Sequence, residues 1–165
     1  QKLKSNLQEQ GYCLRGDEPL KITICPKPYG YDGRHFAKIL LEKNIVCEFA
    51  DPDYVVMMLT PEIDLTGLNQ LEKKLLSISK RPAVTEHPPE FHLPERVMSI
   101  REAALSPCKI IPISESCGKI LASASVSCPP AVPIVICGER IDEAAIQHFT
   151  YYDIKVCTVI STDSP

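Results

Sequence analysis

The sequence predicts an α/β (α+β) fold made of two small layered sheet-and-helix domains that are joined by a proline-rich linker. Helix-period and strand-period segments alternate in both halves of the chain. Between the halves, residues 80–96 contain four prolines and lack either period. At 165 residues, with 44% hydrophobic and 24% charged side chains, the chain suits one ordinary domain or two small ones. The predicted limits are 1–79, 80–96 and 97–165.

The first half predicts a β-α-β-β-α layer that follows the end of a helix. Asp32 and Asp64 each precede an amphipathic segment and are expected to be helix N-caps. An Asp-Pro-Asp turn joins two of the strands. The expected helices cover residues 3–10, 33–43 and 65–78, and the expected strands cover 20–25, 46–50 and 54–59.

The second half begins with a capping-box pattern, in which Ser99 is followed three residues later by Glu102. This pattern predicts a short helix that ends at Leu105. Residues 119–126 are rich in small side chains and give no clear prediction. The other expected elements are strands at 109–113, 132–136 and 154–160 and a helix at 142–149.

A run with three prolines, Pro129, Pro130 and Pro133, is the most informative part of the chain. Proline fixes φ and lacks a backbone donor, so we expect an extended segment that cannot join a strand ladder at these positions. The apolar residues 132–136 then predict a short, fully buried strand. Gly138 allows a sharp turn, and Glu139 places a carboxylate at the end of that strand.

Charge and cysteine usage exclude several classes of function. The net charge of -3 gives no basic surface, so nucleic acid and anionic membranes are not expected partners. The eight cysteines contain no CxxC pair, which favours thiols in a reducing cytoplasm over a zinc site. No apolar run has the length of a membrane span. The chain does not begin with Met, and we expect it to be a fragment.

Three successive stretches resemble one family. They are Ser-Ile-Arg-Glu-Ala at 99–103, Ile-Pro-Ile-Ser-Glu-Ser-Cys-Gly-Lys-Ile at 111–120, and the run from Pro-Pro at 129–130 through Gly-Glu-Arg-Ile at 138–141. They resemble the C-terminal domain of the ornithine/lysine/arginine decarboxylases, which are fold-type I pyridoxal-phosphate (PLP) enzymes. Residues 11–78 are similar to the small domain that follows the large catalytic domain in such enzymes.

The resemblance implies a cytoplasmic parent enzyme that uses PLP to release CO2 from lysine, ornithine or arginine. The reaction would belong to polyamine biosynthesis. In this family the PLP lysine follows a histidine, whereas the four histidines here precede Phe, Pro, Leu and Phe. The fragment is therefore expected to have no catalytic, cofactor-binding or metal residue. It would pack against the large PLP-binding domain, support a homo-oligomer and help to close the substrate pocket.

Glu139 is the predicted substrate-binding residue, because its carboxylate could accept hydrogen bonds from the distal cation of a small basic amino acid. A local alternative is an ion pair with Arg140 or with a neighbouring surface base. The family has Tyr, Gly and Pro where this chain has Cys128, Ala131 and Cys137, so the choice of substrate stays open.

Two other interpretations also stay open. Molybdopterin-pathway proteins have a pattern similar to residues 112–122. The first half also fits the ferredoxin-like plan of regulatory modules that bind small ligands such as amino acids without catalysis.

Overall fold

The computed structural model describes residues 1–128 and 132–161, and for residues 125–128 it describes the backbone alone. The chain divides into two units, Gln1–His87 and Pro88–Pro165. Each unit has a hydrophobic cluster of its own, and both combine helices with antiparallel strands. The predicted α+β class is therefore confirmed. The predicted limits at 79 and 97 stay predictions.

The first unit is built on a four-stranded sheet in which all neighbouring strands are antiparallel. The spatial order is β1-β2-β4-β3. A helix connects β2 to β3, and β4 then pairs between them. The strands are β1 Cys13–Arg15, β2 Lys21–Cys25, β3 Phe49–Ala50 and β4 Val55–Met58.

Three helices pack on one face of this sheet. In β2 the side chains alternate between buried and half-buried positions, because successive residues of a strand point to opposite faces. The buried residues of β2 and β4 belong to one cluster with apolar side chains from all three helices. The helices are α1 Lys2–Glu9, α2 Gly33–Glu42 and α3 Leu65–Leu76.

The predicted caps of α2 and α3 are confirmed. The Asp32 carboxylate accepts hydrogen bonds from the backbone N–H groups of Arg34 and His35, at 2.9 and 3.2 Å. The Asp64 carboxylate accepts one from the N–H of Gly67 at 2.7 Å. These bonds satisfy donors that the first turn of a helix leaves without partners.

The second unit contains two two-stranded antiparallel sheets, β5 with β8 and β6 with β7. The predicted capping box between Ser99 and Glu102 is present at the start of the first helix. The core of this unit surrounds Phe149, Ile141 and Leu121. The elements are α4 Ile100–Leu105, β5 Cys108–Pro112, β6 Ser125–Cys128, β7 Val132–Ile136, α5 Glu143–Tyr151 and β8 Val156–Ile160.

The expectation for the strand after the prolines is wrong in two respects. Strand β7 is not fully buried: Val132 is 51% exposed, while Ile134 and Val135 are buried. A two-stranded ribbon turns only part of its surface toward the core. Pro133 also lies within the ladder, opposite Ser127, where the register shifts. Edge strands and bulges are the places where a sheet tolerates proline. Pro129 and Pro130 lie outside the described residues.

The residues of the predicted linker make hydrogen bonds within each unit. The N–H of Val84 donates to the carbonyl of Lys27 at 2.9 Å in the first unit. In the second unit, the N–H of Arg140 donates to the carbonyl of Glu95 at 2.9 Å. Within the described residues, no helix is long and apolar enough to cross a bilayer.

Candidate functional site

A tight turn follows β7 and presents Glu139. The N–H of Glu139 donates to the carbonyl of Ile136 at 3.1 Å, which closes the turn over four residues. Gly138 has a φ of 90°, a region that side chains with a Cβ rarely adopt. A Cβ at this position would lie 2.6 Å from the carbonyl oxygen of Met98. The turn therefore requires glycine for its backbone conformation and for its close packing.

Two neighbouring segments hold this turn in place. On one side, the N–H of Gly138 donates to the carbonyl of Leu121, and the N–H of Leu121 donates to the carbonyl of Glu139, both at 2.9 Å. On the other side, the N–H of Val97 donates to the carbonyl of Gly138 at 3.0 Å. The backbone of Glu139 is thus fixed by contacts from both sides.

The Glu139 carboxylate is half-buried and also takes part in the turn. Its Oε2 accepts a hydrogen bond from the N–H of Ile136 at 2.9 Å. Of the predicted local alternatives, the ion pair with Arg140 is not the arrangement observed. Arg140 pairs with Glu95 at 2.9 Å and donates to the carbonyl of Gly118 at 3.0 Å. A fixed carboxylate of this kind can accept a charge-assisted hydrogen bond from a cation.

This turn lies within the part of the chain that matches a known family. Residues 83–158 match the family model described as the C-terminal domain of Orn/Lys/Arg decarboxylases. This stretch belongs to the Orn/Lys/Arg decarboxylase family. The recognition made from the proline run and the two preceding motifs is therefore confirmed.

The curated proteins that the chain resembles include two arginine decarboxylases. The chain is 31% identical to an arginine decarboxylase of Bacillus subtilis (strain 168) in an alignment of 138 residues, and the match covers 79% of this chain and 28% of the relative. It is 28% identical over 144 residues to an arginine decarboxylase of Halalkalibacterium halodurans, again covering 79% of this chain and 28% of the relative. The chain thus spans little more than a quarter of these relatives.

Solved structures of decarboxylases share the fold. The constitutive lysine decarboxylase of E. coli matches 87% of this chain with a TM-score of 0.59 at 14% identity. The lysine decarboxylase LdcF of Francisella novicida matches 89% with a TM-score of 0.60 at 16% identity. In both cases the match covers 32% of the larger chain. At these identities the similarity shows a shared fold alone.

One buried lysine lies in the first unit. Lys27 is the buried lysine among the described residues. Its Nζ lies 2.8 Å from the Asp53 carboxylate and donates to the carbonyl of Glu86 at 2.7 Å. A Schiff-base lysine must present a free amine to the cofactor. These contacts fit a structural ion pair, and PLP binding by a parent protein stays a prediction.

Cys137 stands where the resemblance implies a proline, and its thiol lies in the core of the second unit. The side chain is buried and donates toward the carbonyls of Ala122 and Ile100, at 3.4 and 3.7 Å. Burial raises the pKa of this thiol. Cys137 therefore acts as a small core residue beneath the turn of Glu139.

Residues 1–124 and 132–161, whose side chains are described, contain no candidate metal site. No three His, Cys, Asp or Glu side chains there are grouped so that they could hold an ion.

Proposed function

We propose that this chain serves as the C-terminal part of a PLP-dependent decarboxylase that acts on a basic amino acid. In such a parent it packs against the large cofactor-binding domain, supports assembly of a homo-oligomer and closes the substrate pocket. Membership of residues 83–158 in the decarboxylase C-terminal family supports this role. A place in polyamine biosynthesis and in the cytoplasm is part of the same proposal.

Arginine is the substrate that we propose to test first. Two relatives matched over 79% of this chain are named arginine decarboxylases. A guanidinium carries its N–H donors in a planar fork, which suits a carboxylate better than a compact ammonium does. The solved relatives are lysine decarboxylases, but at 14% and 16% identity they inform the fold alone.

The rigid turn of Glu139 is the observation that carries the proposed site. An ionised carboxylate offers about four lone-pair positions, so the bond from the Ile136 N–H leaves capacity for a ligand. The backbone contacts on both sides hold the group before a ligand arrives, which lowers the entropy cost of binding. The neighbouring Arg140 pairs with Glu95 and not with the Glu139 carboxylate.

The test is Glu139→Gln in the full-length parent. Glutamine keeps an amide oxygen that can accept the Ile136 N–H, so the fold is expected to survive. The loss of the charge should weaken binding of the basic substrate by about 1.5–3 kcal/mol, which corresponds to roughly a tenfold to a hundredfold rise in KM. Steady-state kinetics with arginine, lysine and ornithine measure this effect.

Glu143→Gln is the matched control, because Glu143 is an exposed carboxylate in the first turn of α5, close to Glu139 in sequence. It should leave KM unchanged. Identical kinetics of wild type and the Glu139 variant with all three amino acids would remove Glu139 from the pocket.

A regulatory module that binds amino acids without catalysis is the second candidate. The order β2-β4-β3 around α2 reproduces the central part of a ferredoxin-like sheet, and β1 pairs at the edge of β2. Calorimetry of this chain with arginine, lysine and ornithine distinguishes the two candidates. Saturable binding without PLP would favour the regulatory module over the decarboxylase role.

A further inference from the structure

Two cysteines lie directly opposite each other in the first sheet. Cys13 of β1 is the register partner of Cys25 of β2. Opposed residues on antiparallel strands have Cα atoms about 4.5 or about 5.5 Å apart, depending on the type of pair. Both separations lie within the ~4.4–6.8 Å that disulfides usually span. The Cys13 thiol is also close enough to the Cys25 thiol to help raise its pKa.

Both thiols lie on the face of the sheet opposite the helices. In β2 the residues that alternate with Cys25, namely Ile22 and Ile24, are buried in the helix-covered core. Cys13 and Cys25 are half-buried and both are free thiols. A small reagent therefore has a route to the pair from the side of the sheet that the helices leave uncovered.

We propose that Cys13 and Cys25 form a redox-sensitive modification site, at which a low-molecular-weight disulfide converts the two thiols into a cross-strand disulfide. One protein thiolate attacks a sulfur of the oxidant, whose S–S bond breaks and releases one thiolate. The second cysteine, once deprotonated, attacks the mixed disulfide and displaces the other thiolate. Two protein thiols are oxidised, and one small disulfide is reduced to two thiols.

The groups around the pair set its pH dependence. Burial, followed by the proximity of Cys13, raises the pKa of Cys25 to about 11, and the nearby Arg15 guanidinium acts in the opposite direction. Tyr54, which directly precedes β4, interacts with both Cys25 and Arg15. Since the thiolate is the reactive form, attack by Cys25 should be slow near neutral pH and should accelerate as the pH rises.

The disulfide would join an edge strand to its neighbour. Strand β1 has three residues and pairs only with β2 within the described sheet. A covalent link between positions 13 and 25 restricts the unfolded chain and opposes local opening of this edge. Oxidation is therefore expected to slow hydrogen exchange of the amides in β1 and β2.

The test uses oxidised glutathione as the probe, at about pH 7 and about pH 9. Tryptic cleavage after Arg15 and Lys21 places the two cysteines in different peptides, so a linked pair is identified by mass spectrometry without reduction. We expect a linked Cys13–Cys25 peptide that disappears on treatment with dithiothreitol. Its rate of formation should rise by up to about tenfold per pH unit while the pH stays below the pKa of the attacking thiol.

Matched variants separate this pair from general thiol oxidation. Cys13→Ser and Cys25→Ser should each abolish the linked peptide, whereas Cys47→Ser, which changes another half-buried cysteine of the same unit, should form it at the wild-type rate. Glutathione adducts on the exposed Cys108 and Cys117 show that the reagent is active. Such adducts without a Cys13–Cys25 link in the wild-type chain would overturn the proposal, and so would an equal loss in the Cys47 variant.

Discussion

A buried carboxyl group lies at the turn between β3 and β4. Asp51 Oδ1 accepts hydrogen bonds from the N–H groups of Asp53 and Tyr54, at 2.8 and 2.6 Å. Among the side-chain atoms that the structure describes, Asp51 Oδ2 is buried without a hydrogen-bond partner. Burial raises the pKa of this carboxyl, although the two N–H donors and Arg34 oppose the shift. The turn thus gains two hydrogen bonds at the cost of burying a charge.

The substitution Asp51→Asn tests how the protonation of this carboxyl affects the stability of the fold at different pH values. Because the pKa of the Asp51 carboxyl is raised in the folded state, this group stabilises the fold at pH values below its unfolded-state pKa. That stabilisation is lost as the pH rises through the folded-state pKa. Asparagine keeps an oxygen for the two N–H donors and does not titrate. We therefore expect the wild type to gain stability relative to the variant as the pH falls from about 7 to about 4, near the unfolded pKa of Asp.

Urea unfolding of the two proteins across this range measures the difference in their free energies of unfolding. Asp17→Asn, at an exposed position, is the control for the general effect of removing a negative charge. A difference between wild type and the Asp51 variant that does not change with pH would show that this carboxyl keeps an ordinary pKa in the fold.

At the scale of an element, the turn after β7 depends on Gly138. Its positive φ disfavours any Cβ, and the close carbonyl of Met98 adds a steric conflict. Gly138→Ala should destabilise the second unit by roughly 1–3 kcal/mol or more, since strain and overlap act together. Gly118→Ala is a matched control: Gly118 has a φ of 77°, but a Cβ there would meet nothing within 4 Å.

The control variant Gly118→Ala should lower the free energy of unfolding by about 1 kcal/mol, from backbone strain alone. Chemical denaturation measures the free energy of unfolding of both variants. An equal decrease for the two would show that the close approach of the Met98 carbonyl does not add to the destabilisation.

Local chemistry explains which elements could be predicted from the sequence. The caps at Asp32, Asp64 and Ser99 were predicted correctly, because each involves backbone donors only two or three residues away. Strand β1 was not predicted, since three residues carry no period and its existence depends on pairing with β2. The strand predicted at 46–50 is shorter, Phe49–Ala50, because pairing with β4 defines it.

The same distinction applies to the candidate site. Gly138 and Glu139 were recognisable in the sequence from the turn and from the family resemblance. The bond from Ile136 to the Glu139 carboxylate and the pairing of Arg140 with the distant Glu95 were not, since both depend on how the turn packs. Whether Glu139 binds a substrate stays a prediction.

At the scale of the whole molecule, the two separate hydrophobic clusters predict two folding units. The segment around the boundary at His87 and Pro88 is largely exposed. Limited proteolysis with a glutamate-specific enzyme should cleave near Glu86 or Glu90 and give two products, each with a cooperative unfolding transition. A product that is unfolded after separation would contradict this independence and the predicted domain division.

The isolated chain is predicted to hold no PLP covalently at a single lysine. The chain contains no His-Lys pair, and the buried Lys27 is held by Asp53 and by the carbonyl of Glu86. A covalent PLP site needs a lysine amine that a built pocket presents to the cofactor, and the amine of Lys27 is already engaged. We therefore expect the isolated chain, mixed with PLP and arginine, lysine or ornithine, to release no CO2 and to give no single borohydride-stable adduct. Scattered, weak labelling of exposed lysines agrees with this expectation, whereas stoichiometric labelling of one lysine would contradict it and would move the cofactor site into this chain.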